Sequence, residues 1–422
     1  MRIDAEWPLA GTSGVFALAE QGGFVTTETQ TESEESFGDG LFGGDDAGDP
    51  YERYEALRRD TPVTRMGESF WAVSKYEDVV AILRDSNTFS SIVGAKAISG
   101  EEPASGMIFN DPPMHTRLRG LIQKAFTPRV VEEQRPAVQA YCDELVDKML
   151  AEEETDLVAS LAYPLPVMVI ANMLGVADGD MATFKRWSDV IIQNIGPSLL
   201  MGDDSGVAPT RVEFDAYFSK RLDLLREKPD GSLLSELVHV ETDEGRLTQE
   251  ELLMFCVLLL VAGNETTTGL IVNAMRAFSE FPAVMTEVRD DLDLIPAAVE
   301  EALRYYAPFQ ATIRRASKDL ELRGQKIAKD DRILVLLASA NRDEEVFENP
   351  KEFRLDRGTN KHVAFGFGIH SCVGAPLARM EGGIVLRTLL PRIRSVTLLD
   401  TDAGEMLLPG GPSSLRVRFE PA

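Results

Sequence analysis

The stretch "FGFGIHSCVG", residues 365–374, places three glycines, His370 and Cys372 within ten residues, and "APLARME" after it reads as a helix. A thiol on a glycine-rich bend ahead of a helix has few chemical uses. A zinc site needs partner ligands at short spacing. The other two cysteines, Cys142 and Cys256, lie far away in apolar helical patterns that read as core, and His362 and His370 alone do not complete a zinc site. A nucleophilic cysteine needs a histidine base within reach, and His370 is two residues away. A thiolate ligand to a metal fits the loop better. Glycines let the backbone approach a flat cofactor, and N–H groups at the helix start stabilise a sulfur anion.

Three further stretches hold polar residues at telling spacings. In "AGNETT", residues 262–267, Glu265 sits inside an apolar helical run, where a charge is costly unless satisfied or functional. Gly263 weakens the same turn by about 1 kcal/mol. In "DPPMHTRLRG", His115 and Arg119 stand at i and i+4, on one helix face. In "EEALR", Glu301 and Arg304 are one turn apart. Taken singly, the first reads as a kink with a hydrogen-bonded acid and the other two as solvated pairs.

These residues need elements to hold them. Thr248 and Glu251 form a capping-box pattern ahead of "ELLMFCVLLLVAGNETTTGLIVNAMRAFSE", so one long, largely buried helix is expected to carry "AGNETT". Helical periodicity dominates from about residue 129 to 305. "YERYEALRRD" and "YEDVVAILRD" read as helices flanking the strand-like "RMGESFWAVS" with its turn at Gly67. After residue 308 come short strand-like runs, "ATIRRAS", "LELRGQKIA" and "RILVLLASA", and later "SVTLL" and "SLRVRFE". The fold class expected is mainly α (α+β), a large helical body with small β-sheets. Residues 1–49 differ: acidic, rich in Gly, Ser and Thr, with Arg2 their one basic residue. Such a segment buries too little apolar surface to offset its ordering entropy, so a mobile tail ahead of a domain over 50–422 is expected, with a short helix at "VFALAEQGGF".

The formal net charge of −26 argues against nucleic acid as a partner. The strongly apolar run near Met254–Ala262 is too short to span a bilayer, and no signal-peptide pattern opens the chain. With three cysteines and no disulfide framework, a cytoplasmic protein with no membrane partner is expected.

The pattern F-G-x-G-x-H-x-C-x-G, as Phe365, Gly366, Gly368, His370, Cys372 and Gly374, resembles the haem-binding signature of the cytochrome P450 monooxygenases. The other three stretches occur in that family's order, and the similarity covers about residues 50–420, nearest to soluble bacterial members. The resemblance implies the cytochrome P450 fold and haem b, with Cys372 as iron ligand. It implies that His115, Arg119, Arg314 and His370 contact the haem propionates and that Ala262 and Gly263 lie over the haem. Arg315 is adjacent, but the spacing from Arg304 favours Arg314. It implies that Glu265 and Thr266 form the catalytic acid–alcohol pair on a bent helix. Glu301 and Arg304 become a buried structural pair completed by a third basic group, His362 or Arg357. Glu352 departs from the family, many of whose members carry Arg there.

The function implied is hydroxylation of a hydrophobic small molecule with O2 and electrons from a ferredoxin and ferredoxin reductase, because the chain carries no flavin or nicotinamide domain of its own. Arg117, Lys124, Arg129 and Arg379 are candidates for a local basic docking patch. The substrate pocket is expected along the 92–109 loop, the 185–200 helix region and the loop near Gly410–Ser413. Its candidate lining residues are Ile92, Val93, Met107, Ile108, Ile191, Ala262, Phe309 and Ile313, and none marks an anchor for a substrate carboxylate. Two alternatives stand beside this reading: a hydrogen-peroxide-dependent peroxygenase and a non-catalytic haem-based sensor. The composition of the tail yields a direct test. Deleting residues 1–49 is expected to leave haem content and the unfolding midpoint nearly unchanged, as absorbance and thermal melts will report; a clear drop in either refutes the boundary.

Overall fold

The structure is a computed structural model that describes residues 49–94, 106–201, 203–243, 245–402, 412 and 414–422. The N-terminal tail, with its expected short helix, lies outside the described residues. The helices that build the site are, in chain order, α1 (Pro50–Asp60), α2 (Tyr76–Arg84), α3 (Met114–Ala125), α4 (Arg135–Met149), α5 (Pro164–Met173), α6 (Met181–Met201), α7 (Ala208–Glu227), α8 (Gln249–Glu280), α9 (Ile295–Tyr305) and α10 (Ala375–Leu389). The strands are β1 (Val63–Gly67), β2 (Phe70–Val73), β3 (Phe89–Ser90), β4 (Glu154–Asp156), β5 (Ala311–Ala316), β6 (Leu320–Leu322), β7 (Gln325–Ile327), β8 (Arg332–Leu336), β9 (Ile393–Asp402) and β10 (Ser414–Pro421). The expected helical body with small sheets is what the chain forms. The short strand β4, inside the region read as helix, was not expected; it pairs with β10, more than 250 residues away in sequence.

Helix α8 is the central pillar. Glu251 N–H donates to Thr248 Oγ1 at 3.2 Å, and Thr248 N–H donates to a Glu251 carboxylate oxygen at 2.8 Å, so both halves of the expected capping box form. Such a cap contributes about 1 kcal/mol. The helix then runs continuously through "AGNETT" to Glu280. Gly263 has a packing reason for its missing side chain: a Cβ there would stand 2.6 Å from the Ile170 δ-methyl on α5. As a whole α8 is long and apolar enough to cross a membrane by length and composition, but most of its apolar stretch is buried against α5, α9 and α10. Cys142 and Cys256 are both buried, as expected.

A sheet in the order β1-β2-β8-β5-β3 packs against α1 and α2, and a second sheet runs β4-β10-β9. Register in the first sheet aligns Ile313 with Leu334 and Arg314 with Ile333, so alternation along β5 sends neighbouring side chains to opposite faces.

The segment between β8 and α10 is mostly irregular and is held by one buried carboxylate. Glu301 and Arg304 are both fully buried. Arg304 meets Glu301 in a two-pronged pair at 2.7 and 2.8 Å. Glu301 also accepts from Arg357 Nε at 2.8 Å, Arg354 N–H at 2.9 Å and Asn360 Nδ2 at 3.0 Å. Of the two candidates for the third basic partner, Arg357 fills the place; His362 faces Glu300 instead, at 3.2 Å. The remaining guanidinium hydrogens of Arg304 and Arg357 bond main-chain carbonyls of residues 341–352, including that of Glu352. Glu352 serves through its backbone, which explains why its side-chain type is free to depart from Arg. Removing one partner strands buried charge at a cost of about 3–5 kcal/mol. Glu301→Gln is therefore expected to lower stability by about that amount in urea unfolding, and His362→Gln by clearly less.

Candidate functional site

The cysteine loop is shaped by left-handed glycines and a close approach. Gly366 and Gly368 have φ of +68° and +74°. A Cβ on Gly368 would stand 2.5 Å from the Leu83 carbonyl at the end of α2, so no other residue fits that bend. Gly366 N–H donates to Val363 O, and Cys372 N–H donates to Phe365 O, both at 2.8 Å. The upstream end is tied down as well, since Val363 N–H donates to the buried Asn341 Oδ1 at 2.7 Å. The loop ends at Gly374 and α10 begins at Ala375.

Cys372 is exposed, as are Gly368 and Ile369 in the same loop, although its sulfur lies within the surrounding protein. Burial of its sulfur within the surrounding protein pushes the thiol pKa up, while the N–H groups of Gly374 and Ala375 and the cations Arg119 and Arg379 pull it down. The site therefore offers a thiol whose anion is already partly provided for, and a metal ion displaces its proton readily. Arg379 lies over the Phe365 ring at 4.5 Å and is paired with Glu300. Burial works to raise the Glu300 pKa, but hydrogen bonds from Arg379 and His362 prevail and hold it at about 2.

On one side of the thiol lies a group of nitrogen donors lacking acceptors. His115 is buried, and neither ring nitrogen has a hydrogen-bond partner among the described residues. Arg119 Nε is likewise buried and unpartnered. Arg314 is buried and, among the described residues, bonds only Thr312 Oγ1 and the carbonyl of Ile313, both on its own strand. The rings of His115 and His370 lie 4.1 Å apart, centroid to centroid. Burial drives the His370 pKa down to about 3, aided by His115, Arg314 and Arg119; burial likewise lowers Arg314 to about 10, against the pull of Asp111. Asp111, the nearby carboxylate, is occupied by Ser90 Oγ at 2.6 Å and Ser91 N–H at 2.8 Å. Buried cations without counter-charge are costly unless a ligand supplies it. A flat cofactor with two carboxylates matches this donor set: the carboxylates answer the two arginines and two histidines, and a central metal answers the thiol. The residues present thus fit haem.

The sequence missed Ser91, whose Oγ lies 3.0 Å from His370 Nε2, and Asp111. Both act on loops joined only by tertiary contacts, and nothing in their spacing distinguishes them.

On α8, Ala262 is exposed and Thr266 partly open, although most of the helix around them is packed. Those two positions are one turn apart, so that face borders open space. Thr266 Oγ1 donates to Ala262 O at 2.7 Å. Glu265 accepts no hydrogen bond among the described residues; burial, and then the charge of Asp189, raise its pKa to about 7. The pocket candidates fall in different apolar groups. Val93 and Ile313 pack in a cluster with Tyr54 and Leu334, Met107 and Ile191 in the main helical core, and Phe309 against the cluster that holds Ile333 and Val335. Ile92 is half-buried, and Ile108 is 39% exposed. Residues 95–105, the side chains beyond Asn194 on α6 and most of the Gly410–Ser413 loop lie outside the described residues.

Comparison with known proteins points one way. The family model described as cytochrome P450 matches residues 213–404. The chain is 41% identical over 384 residues to the cytochrome P450 monooxygenase PikC of Streptomyces venezuelae, covering 87% of this chain and 89% of that one. It is 39% identical over 349 residues to cytochrome P450 109 of Bacillus spizizenii, covering 81% and 84% respectively. Among solved structures, cytochrome P450 CYP109Q5 from Chondromyces apiculatus superposes with a TM-score of 0.81 at 38% identity, covering 89% of this chain and 96% of that one. CYP109E1 from Bacillus megaterium, in complex with testosterone, superposes with a TM-score of 0.79 at 35% identity, covering 88% and 99%.

The unmatched charge makes a two-sided prediction. Arg314→Met is expected to raise the melting temperature of the haem-free protein, by removing a buried cation that lacks a carboxylate. The same change is expected to weaken haem retention roughly 10- to 100-fold, the worth of one hydrogen bond to a charged group. Haem transfer to an apoprotein acceptor checks the second half.

Proposed function

Because the chain belongs to the cytochrome P450 family, whose members bind haem b and act as monooxygenases, we propose that it hydroxylates a neutral, hydrophobic small molecule using electrons from a ferredoxin and its reductase. The observation that carries this reading is the gathering of His115, Arg119, Arg314 and His370 beside the Cys372 thiol, with both His115 ring nitrogens and Arg119 Nε lacking partners among the described residues. In this reading Cys372 ligates the iron and the four donors hold the propionates. When bound, haem supplies the activation of O2, and thiolate ligation favours O–O cleavage.

The chain's own contribution is to hold and move protons. Thr266 gives its hydroxyl proton to the Ala262 carbonyl, which leaves its oxygen lone pairs turned to accept from a water in the open space. Glu265 keeps its proton up to about neutral pH because the buried carboxylate is poorly solvated. An acid with a pKa near the working pH serves well as a donor. Delivery from this pair falls away as the pH rises above about 7, where Glu265 ionises.

The lining candidates Ile108, Ala262, Phe309 and Ile313 carry no charge, which supports a neutral apolar substrate. CYP109E1 has been solved with testosterone and with corticosterone, and a ligand of steroid size and polarity suits such a lining. For the electron donor, the candidate cations divide. Arg117 is held by Glu251 and Arg379 by Glu300. Lys124 reaches only the Glu241 carbonyl, and Arg129 stands well exposed with a loose 3.5 Å contact to Glu133. A negatively charged ferredoxin is therefore read to meet Lys124 and Arg129 first.

The test is a balance of reductant used, peroxide released and product formed, with a substrate found by spectral screening of apolar compounds. Thr266→Ala is expected to keep the fold and substrate binding while diverting reductant into peroxide. Glu265→Gln is expected to slow oxygen consumption by about 10²-fold, the low end for a positioned acid. Unchanged product per reductant in Thr266→Ala removes that residue from the mechanism and favours a peroxide-driven enzyme.

A further inference from the structure

Three of the pieces that carry the nitrogen donors meet at one short turn. Strand β3 ends at Ser90, and Ser90 and Ser91 are both buried, each 2% exposed. Asp111, just ahead of α3, holds this turn with both carboxylate oxygens. Ser90 Oγ donates to Oδ2 at 2.6 Å and Ser91 N–H donates to Oδ1 at 2.8 Å. The main-chain carbonyl of Asp111 accepts from His115 N–H at 3.0 Å, so the same residue sets the first turn of the helix that carries His115 and Arg119. On the other side Ser90 pairs with Arg315 across β3 and β5, and Arg315 Nε donates to Ile92 O at 3.1 Å, next to Arg314. Ile92 N–H closes the turn on Ser90 Oγ at 3.0 Å. The Ser91 side chain is left over. Its Oγ stands 3.0 Å from His370 Nε2 on the cysteine loop and meets no other partner among the described residues.

We propose that Ser91 is a positioning residue that fixes the tautomer of His370, and that Asp111 holds Ser91 in place to do so. The proposal rests on the reading of His370 as a contact to a haem carboxylate. A hydroxyl either gives its proton to a ring nitrogen or takes one from it. A neutral imidazole carries one N–H, and a nitrogen that accepts a hydrogen bond leaves that hydrogen on the other. With Nε2 turned to Ser91, only Nδ1 remains for a ligand. A carboxylate accepts and does not donate, so Nδ1 must bear the hydrogen and Nε2 must be the acceptor. Ser91 therefore donates to Nε2, and His370 offers Nδ1–H. Arg119 and Arg314 already bring two cations to this group, so a third charge on the ring is unfavourable and the neutral form is the one to be fixed. Asp111 serves through its geometry. Burial lowers the pKa of His115 and of Arg314, and the charge of Asp111 works against it. A carboxylate placed there also repels an incoming carboxylate, so its use to the site is the turn it holds and not the charge it carries. A purely structural role would require the turn only to join β3 to α3, and would leave the tautomer of His370 indifferent to the Ser91 hydroxyl.

The test uses the full-length holoenzyme. The chain has four histidines, few enough for nitrogen NMR of the reduced, carbonyl-bound protein labelled at histidine, with His370 assigned by its absence in His370→Ala. Nε2 is expected to be the unprotonated nitrogen and Nδ1 the protonated one. A proton on Nε2 overturns the proposal. Haem release is followed by transfer to an apoprotein acceptor. Ser91→Ala is expected to speed release on the order of 10-fold, the low end for loss of a group that orients a ligand-binding histidine. Ser91→Thr, which keeps the hydroxyl, is expected to restore most of the native rate. Placed in His370→Ala, Ser91→Ala is expected to add nothing further, because the two residues act as one unit. Asp111→Asn keeps an acceptor for Ser91 N–H and a contact for Ser90 Oγ, and is expected to hold haem at least as long as the native protein, whereas Asp111→Ala is expected to release it faster. A native release rate in Ser91→Ala overturns the proposal, and so does a full effect of Ser91→Ala within His370→Ala. Faster release from Asp111→Asn marks charge and not geometry as the cause and overturns it too, whether or not Asp111→Ala folds. If His370→Ala itself releases haem as the native protein does, the reading of His370 as a carboxylate contact falls, whatever the NMR shows. If His370→Ala is impaired and Ser91→Ala is not, only the role of Ser91 falls.

Discussion

Everything near the reactive thiol hangs from one buried carboxylate. Glu301 takes five donors: two from Arg304 and one each from Arg354, Arg357 and Asn360. With all its lone pairs answered, the ion is tolerated in the interior, and the two guanidinium groups are left aimed at main-chain carbonyls of an irregular segment. Arg304 reaches Asn341 O, Asn341 Oδ1 receives Val363 N–H, Val363 O receives Gly366 N–H, and Phe365 O receives Cys372 N–H. Four hydrogen bonds carry position from α9 to the sulfur through a stretch with little regular structure. Irregular backbone has many unpaired carbonyls, and a buried arginine is the side chain with enough donors to gather several of them at once.

A second group of cations follows the opposite rule. Around Glu301 the donors of Arg304 and Arg357 find acceptors, whereas the ring nitrogens of His115 and Nε of Arg119 are buried without partners among the described residues. The first arrangement is finished by folding alone. The second is finished by a ligand, and the free energy of binding that ligand then becomes part of the stability of the loaded protein. The difference between the two clusters separates scaffold from site more cleanly than burial does, since both are buried.

Helix α8 joins these themes. The packing that buries it on α5, α9 and α10 also desolvates Glu265, so one cause serves structure and chemistry together. Gly263 admits Ile170, which lets α5 pack close against α8. A residue that looks like a weakness in the helix is a consequence of how near its neighbour lies.

Much was legible in the sequence because it depends on neighbours along the chain. The capping box of α8 and the turn at Gly67 are local, and so is the glycine-rich bend that presents Cys372. The pairing of Glu301 with Arg304 follows from one helical turn. The choice of Arg357 over His362 was not legible, because both stand at plausible distances in sequence and only the path of an irregular loop decides which meets Glu301. Strand β4 was hidden for a similar reason: its partner β10 lies at the other end of the chain. Lys185 and Asp189 show an i, i+4 spacing that any surface pair could have; their place beside Tyr163 arises from the packing of α6 against the start of α5. The sequence determined which groups are present and which share a local turn. The tertiary structure decided which charges are answered and which are left waiting, because the energy of a buried charge depends on everything packed around it and not on its neighbours in the chain.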